Sequence, residues 1–195
     1  GGEMQRVSIG RALVRDPQVY LMDEPLSSLD AKLRADLRVE LKRIHAELAA
    51  TLLYVTHDQI EAMTMATHIG VLDEGRLVQF GSPREIYEDP TTAYVAARLG
   101  QPRINLLPVG LLEAAAPDGA AVMGLRPENI RQGTGRDASI TRVEHLGDQT
   151  RLHLKLGEHD IITLTDPHST SNPGETIQIA AQNPVYFDAD GNRVR

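Results

Sequence analysis

The stretch Val19-Tyr20-Leu21-Met22-Asp23-Glu24-Pro25 constrains the chain more than any other. Four apolar residues run into two adjacent carboxylates, and a proline stops the run. The run is too short for a helix and lacks polar alternation, so it predicts a strand buried on both faces. A buried strand cannot carry ionised carboxylates along its length, but it can present them where it leaves the sheet. In open parallel sheets that carboxyl end is where ligands bind. Asp23 and Glu24 therefore stand where a metal and a water could meet a phosphate; the competing reading is that Asp-Glu-Pro opens a turn.

The neighbouring segments extend the pattern. Leu33, Leu37, Leu41, Ile44 and Leu48 recur at steps of four, four, three and four, which predicts one stripe of an amphipathic helix. The charges between them read as a solvated face, and Asp30 can cap the first turn. Thr51-Leu52-Leu53-Tyr54-Val55 is a second short apolar run, ending in Thr56-His57-Asp58. Two strands joined by a helix make a βαβ unit, which places His57 beside Asp23 and Glu24 at the carboxyl ends of adjacent strands. A histidine after a strand is also a common surface or capping residue. Ahead of the first strand, Gly1-Gly2-Glu3 leads into a partly helical pattern from Met4 to Val14, which Asp16-Pro17 breaks. Glycines at a helix entrance bare backbone N–H groups to an anion, though two glycines equally suit a linker.

Further on, 59–66 predicts a helix capped by Asp58, and 69–80 a hairpin turning at Asp73-Glu74-Gly75. Ser82-Pro83-Arg84-Glu85 has capping-box spacing with proline at the first helical position. A last helix, 92–99, closes at Gly100. From Pro102 helical periodicity gives way to short runs at 121–125, 138–143, 150–156, 161–164, 176–179 and 185–187, which suggests a small antiparallel barrel or sandwich.

Composition excludes several classes. No apolar run approaches the roughly 20 residues needed to cross a bilayer. Cysteine is absent, so thiolate chemistry and disulfides are excluded. A net charge of -7 argues against a nucleic-acid partner, whose footprint would be basic. Tyr186 and Phe187 are adjacent, so in a strand they face opposite ways and form no stacking platform. His145, His153, His159 and His168 have no zinc spacing.

In order and spacing, Gly1-Gly2-Glu3-Met4-Gln5-Arg6-Val7, the VYLMDEP run, Ser27-Ser28-Leu29-Asp30 and Thr56-His57-Asp58 resemble the ABC-transporter ATPase subunits. They look like the end of the signature motif, Walker B, the D-loop and the switch histidine. Phe80-Gly81-Ser82-Pro83-Arg84-Glu85-Ile86-Tyr87, Gly124-Leu125-Arg126-Pro127-Glu128 and Val143-Glu144-His145-Leu146-Gly147 narrow the resemblance to maltose, trehalose and glycerol-3-phosphate importer subunits. It implies an incomplete α/β P-loop NTPase of ABC type over 1–100, then an all-β OB-like regulatory domain over 101–195. It further implies ATP and Mg²⁺ as cofactors, with Asp23 on the metal, Glu24 as general base and His57 at the γ-phosphate. By the same resemblance Gly1, Gly2, Glu3, Ser28 and Asp30 contact nucleotide or the dimer interface. The partners implied are a second ATPase subunit and membrane-embedded permease subunits, on the cytoplasmic face of the membrane, with either a regulatory protein or a small molecule at the β domain.

The sequence departs from the family pattern in three places. The serine before the two glycines is missing, and Glu3 stands where glutamine is common. No G-x-x-x-x-G-K-[ST] phosphate loop occurs in the 195 residues. The expectation is therefore a C-terminal portion of a longer subunit that neither binds ATP well nor hydrolyses it alone. The alternative is a non-catalytic dimerisation and regulatory module. An ATPase of DNA repair would need long coiled coils and no β tail, and neither fits the sequence after Gly100.

Overall fold

The computed structural model describes residues 2–14, 17–48 and 51–195. Gly1 and the Asp16 side of the expected helix break lie outside the described residues. The chain forms two compact units, Gly1–Ile69 and Gly70–Arg195.

In the first unit the order is α1 (Gly2–Leu13), β1 (Val19–Asp23), α2 (Ala31–Leu48), β2 (Thr51–Val55) and α3 (Gln59–Met65). β1 and β2 pair in parallel, with Val19 opposite Thr51 and Asp23 opposite Val55. The expected βαβ unit is present. Met22, Leu26, Leu29 and Leu41 form its buried core, with Leu33 and Leu37 of α2, Met65 of α3 and Ile9 of α1 packed against it.

The strands are not buried on both faces, which corrects the expectation. Tyr20 and Met22 point into the core, whereas Leu21 is 75% and Leu53 59% exposed. Val19 and Val55 share that open face. The described helices pack against the opposite face, through Met22, Leu52 and Tyr54. Leu33, Leu37 and Leu41 of the α2 stripe turn inward as expected, but Arg34 and Arg38 are drawn in with them instead of being solvated. Arg34 Nη2 donates to the Leu29 carbonyl at 2.9 Å.

The expected hairpin, β3 (Ile69–Asp73) and β4 (Arg76–Gly81), follows, and all of it but Ile69 belongs to the second unit. Glu74 and Gly75 both take positive φ, as a two-residue hairpin turn requires. α4 (Pro83–Glu88) carries the full capping box: Ser82 N–H donates to Glu85 Oε2 at 2.7 Å, and Glu85 N–H donates to Ser82 Oγ at 3.3 Å. α5 (Ala93–Arg98) is capped by the Thr92 hydroxyl. It ends on an extended Leu99, with Gly100 at φ 112° one residue beyond.

Then come β5 (Asn105–Pro108), β6 (Val122–Leu125), a 3₁₀ turn at Pro127–Asn129, β7 (Ile130–His145), β8 (Thr150–Leu156), β9 (His159–Thr165), β10 (Thr176–Ala181), β11 (Val185–Phe187) and β12 (Arg193–Val194). They form two four-stranded sheets, ordered β10-β7-β8-β9 and β12-β11-β6-β5. Their inner faces share one core, with Leu107, Met123, Leu125 and Tyr186 on one side and Ile140, Leu152, Leu154, Ile161 and Ile179 on the other. Asn105 bridges the sheets: its amide donates to Leu125 O and Ile162 O and accepts from Ile162 N–H. Tyr186 and Phe187 do face opposite ways, and both are buried. Tyr186 lies in the shared core and Phe187 against Ala96 and Ile104.

Segment 70–100 packs with the β strands because polar contacts tie it there. Ala93 N–H donates to Gly191 O at 2.8 Å and Arg193 N–H to Thr91 O at 2.9 Å. Arg126, only 6% exposed, reaches back to both helical ends. It donates to the carbonyls of Tyr87, Ala96 and Leu99 and stacks on the Tyr87 ring.

Candidate active site

Two backbone features build the site. Asp23 is the last residue of β1, and Glu24 N–H donates to Val55 O at 2.9 Å, continuing the ladder one residue further. Glu24 then takes φ 44°, which throws the chain out of the sheet. Such a conformation is uncommon for a non-glycine residue and persists only where its surroundings hold it. Here Leu26 and Leu29, 0% and 5% exposed, anchor the following turn in the core. The Ser27 hydroxyl and N–H both donate to Glu24 O.

On the neighbouring strand His57 follows β2 by two residues. Its ring Nε2 lies 2.8 Å from Glu24 Oε1. The imidazole is 85% exposed and the Glu24 side chain 38%, so the pair opens to solvent. The Asp23 side chain, also exposed, makes no hydrogen bond or ion pair among the described residues. Ser28 is exposed in the turn. Asp30 caps α2, its Oδ1 accepting from Leu33 N–H at 3.0 Å. Gly2 and Glu3 lie in the first turn of α1, and Gly1 lies outside the described residues. The sequence-predicted acid pair and histidine thus come together, while Ser28 and Asp30 sit on the turn leading away from them.

Beneath His57 is a network the sequence reading missed. Glu61 is 3% exposed, and its Oε2 accepts from Tyr54 Oη and Thr56 Oγ1, each at 2.8 Å. Burial first, then the hydrogen bond to Glu61, push the Tyr54 phenol well above its usual value, so it stays protonated and donates. Thr56 Oγ1 in turn accepts from Asp58 N–H at 2.9 Å. Asp58 caps α3 through Ile60 and Glu61 N–H, and its Oδ2 faces Arg34 at 3.7 Å and Arg38 at 4.0 Å. The signal available in the sequence was the capping-box spacing of Asp58 and Glu61. The glutamate turns instead to Thr56 and Tyr54.

A metal can be tested against this donor set. Among the described residues no group of three or more His, Cys, Asp or Glu side chains could hold an ion. A lone exposed carboxylate with free oxygens suits Mg²⁺, which keeps several waters and binds through one or two carboxylates plus substrate phosphates. The residues therefore fit a hydrated Mg²⁺ shared with phosphate and do not form a protein cage.

Comparison with known proteins decides the family. Residues 123–193 match the TOBE domain. An uncharacterized ABC transporter ATP-binding protein of Sinorhizobium fredii is 42% identical over 98% of the chain and 57% of its own length. A lactose transport ATP-binding protein of Rhizobium radiobacter is 41% identical over 100% of the chain and 63% of its own. The chain belongs to the ABC-transporter ATP-binding proteins. An sn-glycerol-3-phosphate import ATP-binding protein of Rhizobium johnstonii is 45% identical over 82% of the chain and 49% of its own length. The chain thus spans about half to three fifths of the length of these ABC relatives. The TOBE match falls on β6 through β12 and accounts for the OB-like all-β part of the second unit.

Proposed function

We propose that this chain is part of the ATP-hydrolysing subunit of an ABC importer for sugars or related solutes. In this reading 1–100 belongs to the P-loop nucleotide-binding domain and 101–195 is the regulatory β domain. The observation that carries it is the 2.8 Å contact between Glu24 and His57 at the joint carboxyl ends of β1 and β2. Relatives named for lactose transport and sn-glycerol-3-phosphate import support the solute class.

Phosphoryl transfer asks a protein mainly for positioning and charge neutralisation. Glu24 is the general base: its carboxylate stands clear of the sheet, half-open to water, and can take the proton of an attacking water. His57 Nε2 holds that carboxylate in orientation and has the exposure to turn towards a γ-phosphate. Asp23 would hold Mg²⁺, which when bound would neutralise charge on the phosphates of ATP. Ser28 and Asp30 lie on the turn that a second ATPase subunit meets, and Gly2 and Glu3 in the first turn of α1, which Gly1 precedes in the sequence, offer N–H groups to that subunit's nucleotide. Permease subunits in the membrane and a regulatory protein at the β domain complete the assembly, on the cytoplasmic face. Among the described residues no helix is long and apolar enough to cross a membrane.

The test is ATP hydrolysis by these residues joined to a relative's phosphate-loop segment, with and without Glu24→Gln. Loss of a general base predicts a fall of at least about 100-fold in turnover with ATP still bound. An unchanged rate would remove Glu24 from that role. The absence of a G-x-x-x-x-G-K-[ST] loop favours a second reading for the 195 residues by themselves, a non-catalytic dimerisation and regulatory module. Turnover by the 195 residues alone would refute it.

A further inference from the structure

We infer that Glu61 is a positioning residue for His57, fixing the Thr56–Asp58 turn so that the imidazole is held at Glu24. The inference rests on the reading of Glu24 and His57 as the reacting pair.

A carboxylate buried to 3% exposure costs several kcal/mol unless hydrogen bonds compensate it. Glu61 gains that compensation from two hydroxyls, both on Oε2, and one of them belongs to the residue immediately before His57. Because the Thr56 hydroxyl proton goes to Glu61, its oxygen is free to accept the N–H of Asp58, the residue immediately after His57. One hydroxyl thus closes the turn across His57, and the Glu61 carboxylate decides which way that hydroxyl points. On the other side Asp58 is fixed by the first turn of α3 and by Arg34 and Arg38. The backbone of His57 is clamped from both sides while its ring is almost fully exposed. A packed backbone carrying a solvent-exposed ring is what a group that must reach a fixed partner needs. A misplacement of about 1 Å in such a contact can cost on the order of 100-fold in rate. An apolar residue at position 61 would fill the same core volume but would leave the Thr56 hydroxyl undirected.

The test uses the 195-residue chain at a single pH and reads the ring nitrogen signals of His57 by NMR. Glu24→Ala, which leaves no side-chain acceptor, is recorded first and is expected to move those signals, which defines the unpaired position. Glu61→Ala and Thr56→Val are expected to shift them towards that position. Glu61→Gln, which keeps an acceptor oxygen, restores the parent spectrum, and Tyr54→Phe leaves it nearly unchanged because the Thr56 link survives. The β1 and β2 amide signals report whether each variant retains the fold. If Glu61→Ala loses it, Thr56→Val decides alone. Parent ring signals in a folded Thr56→Val or Glu61→Ala protein would overturn the positioning role and leave the pair intact. Ring signals unmoved by Glu24→Ala would overturn the pair itself, and the positioning role with it.

Discussion

Replacing Arg126 by methionine should detach the short helices of 83–100 from the β sheets. The side chain is 6% exposed, and three carbonyls, of Tyr87, Ala96 and Leu99, accept from its guanidinium. Its central carbon lies 3.9 Å from the centroid of the Tyr87 ring. Hydrogen bonds from a charged donor contribute about 1.5–3 kcal/mol each. The stacked cation adds about 0.5–2 kcal/mol. Against this stands the cost of burying the cation, several kcal/mol, the same burial that pushes the Arg126 pKa down. Methionine keeps the apolar stem, removes every donor and leaves three carbonyls without their partner. The net loss comes to about 3 kcal/mol, or roughly 10 °C in Tm for a unit of this size. Urea unfolding followed by far-UV circular dichroism measures it. Arg126→Lys should recover little, since an ammonium neither stacks flat nor spans the same carbonyls. A midpoint shift in Arg126→Met equivalent to under about 1 kcal/mol would refute the reasoning, because it would mean the carbonyls find water at no cost.

Two other perturbations probe the same unit. In Gly124→Ala the added Cβ would stand 2.8 Å from Val185 Cγ2 and 2.9 Å from Phe187 Cε2. Overpacking of this kind should cost about 1–3 kcal/mol, read as a lower urea midpoint with unchanged slope. The Asp188 carboxyl is held below its usual 3.8, first by the N–H of Asn192 and also by those of Asp190 and Gly191. A depressed carboxyl contributes stability that is present above the unfolded pKa and lost as pH falls through the folded one. The difference in urea midpoint between the parent and Asp188→Asn should therefore be full at neutral pH and shrink below pH 3.8. A gap that does not change with pH would contradict it.

Sequence patterns disclosed those parts of the fold whose chemistry is local. The hairpin at Asp73-Glu74-Gly75, the capping box at Ser82 and Glu85 and the alternation of 150–156 each depend on neighbours in the chain. The meeting of Glu24 with His57 was also legible, because two apolar runs end in polar groups and a parallel register follows from the helix between them. Long-range compensation was not legible. β7 runs from Ile130 to His145, yet only 138–143 read as a strand. Gly133 and Gly135 look like breaks, and they are where the strand bulges: Gln178 pairs with Asp137 and the next residue, Ile179, with Gln132. Gly135 is required there, since a Cβ would lie 2.3 Å from the Ile179 carbonyl oxygen. β5, Asn105–Pro108, has no counterpart among the runs read from the sequence. Glu61, Arg34 and Arg38 looked like ordinary helix-surface charges, and only the folded chain shows which of them point inward.

The alternation of β1 places Asp23 on the same side of the sheet as Val19 and Leu21, the side left open. Whatever comes to lie over those aliphatic side chains will also seal off Asp23. A carboxylate sealed beneath an apolar lid is unfavourable by several kcal/mol without a cation or hydrogen-bond donors to compensate it. Any cover for this sheet must therefore also satisfy one carboxylate, by a cation or by hydrogen-bond donors, at one particular corner.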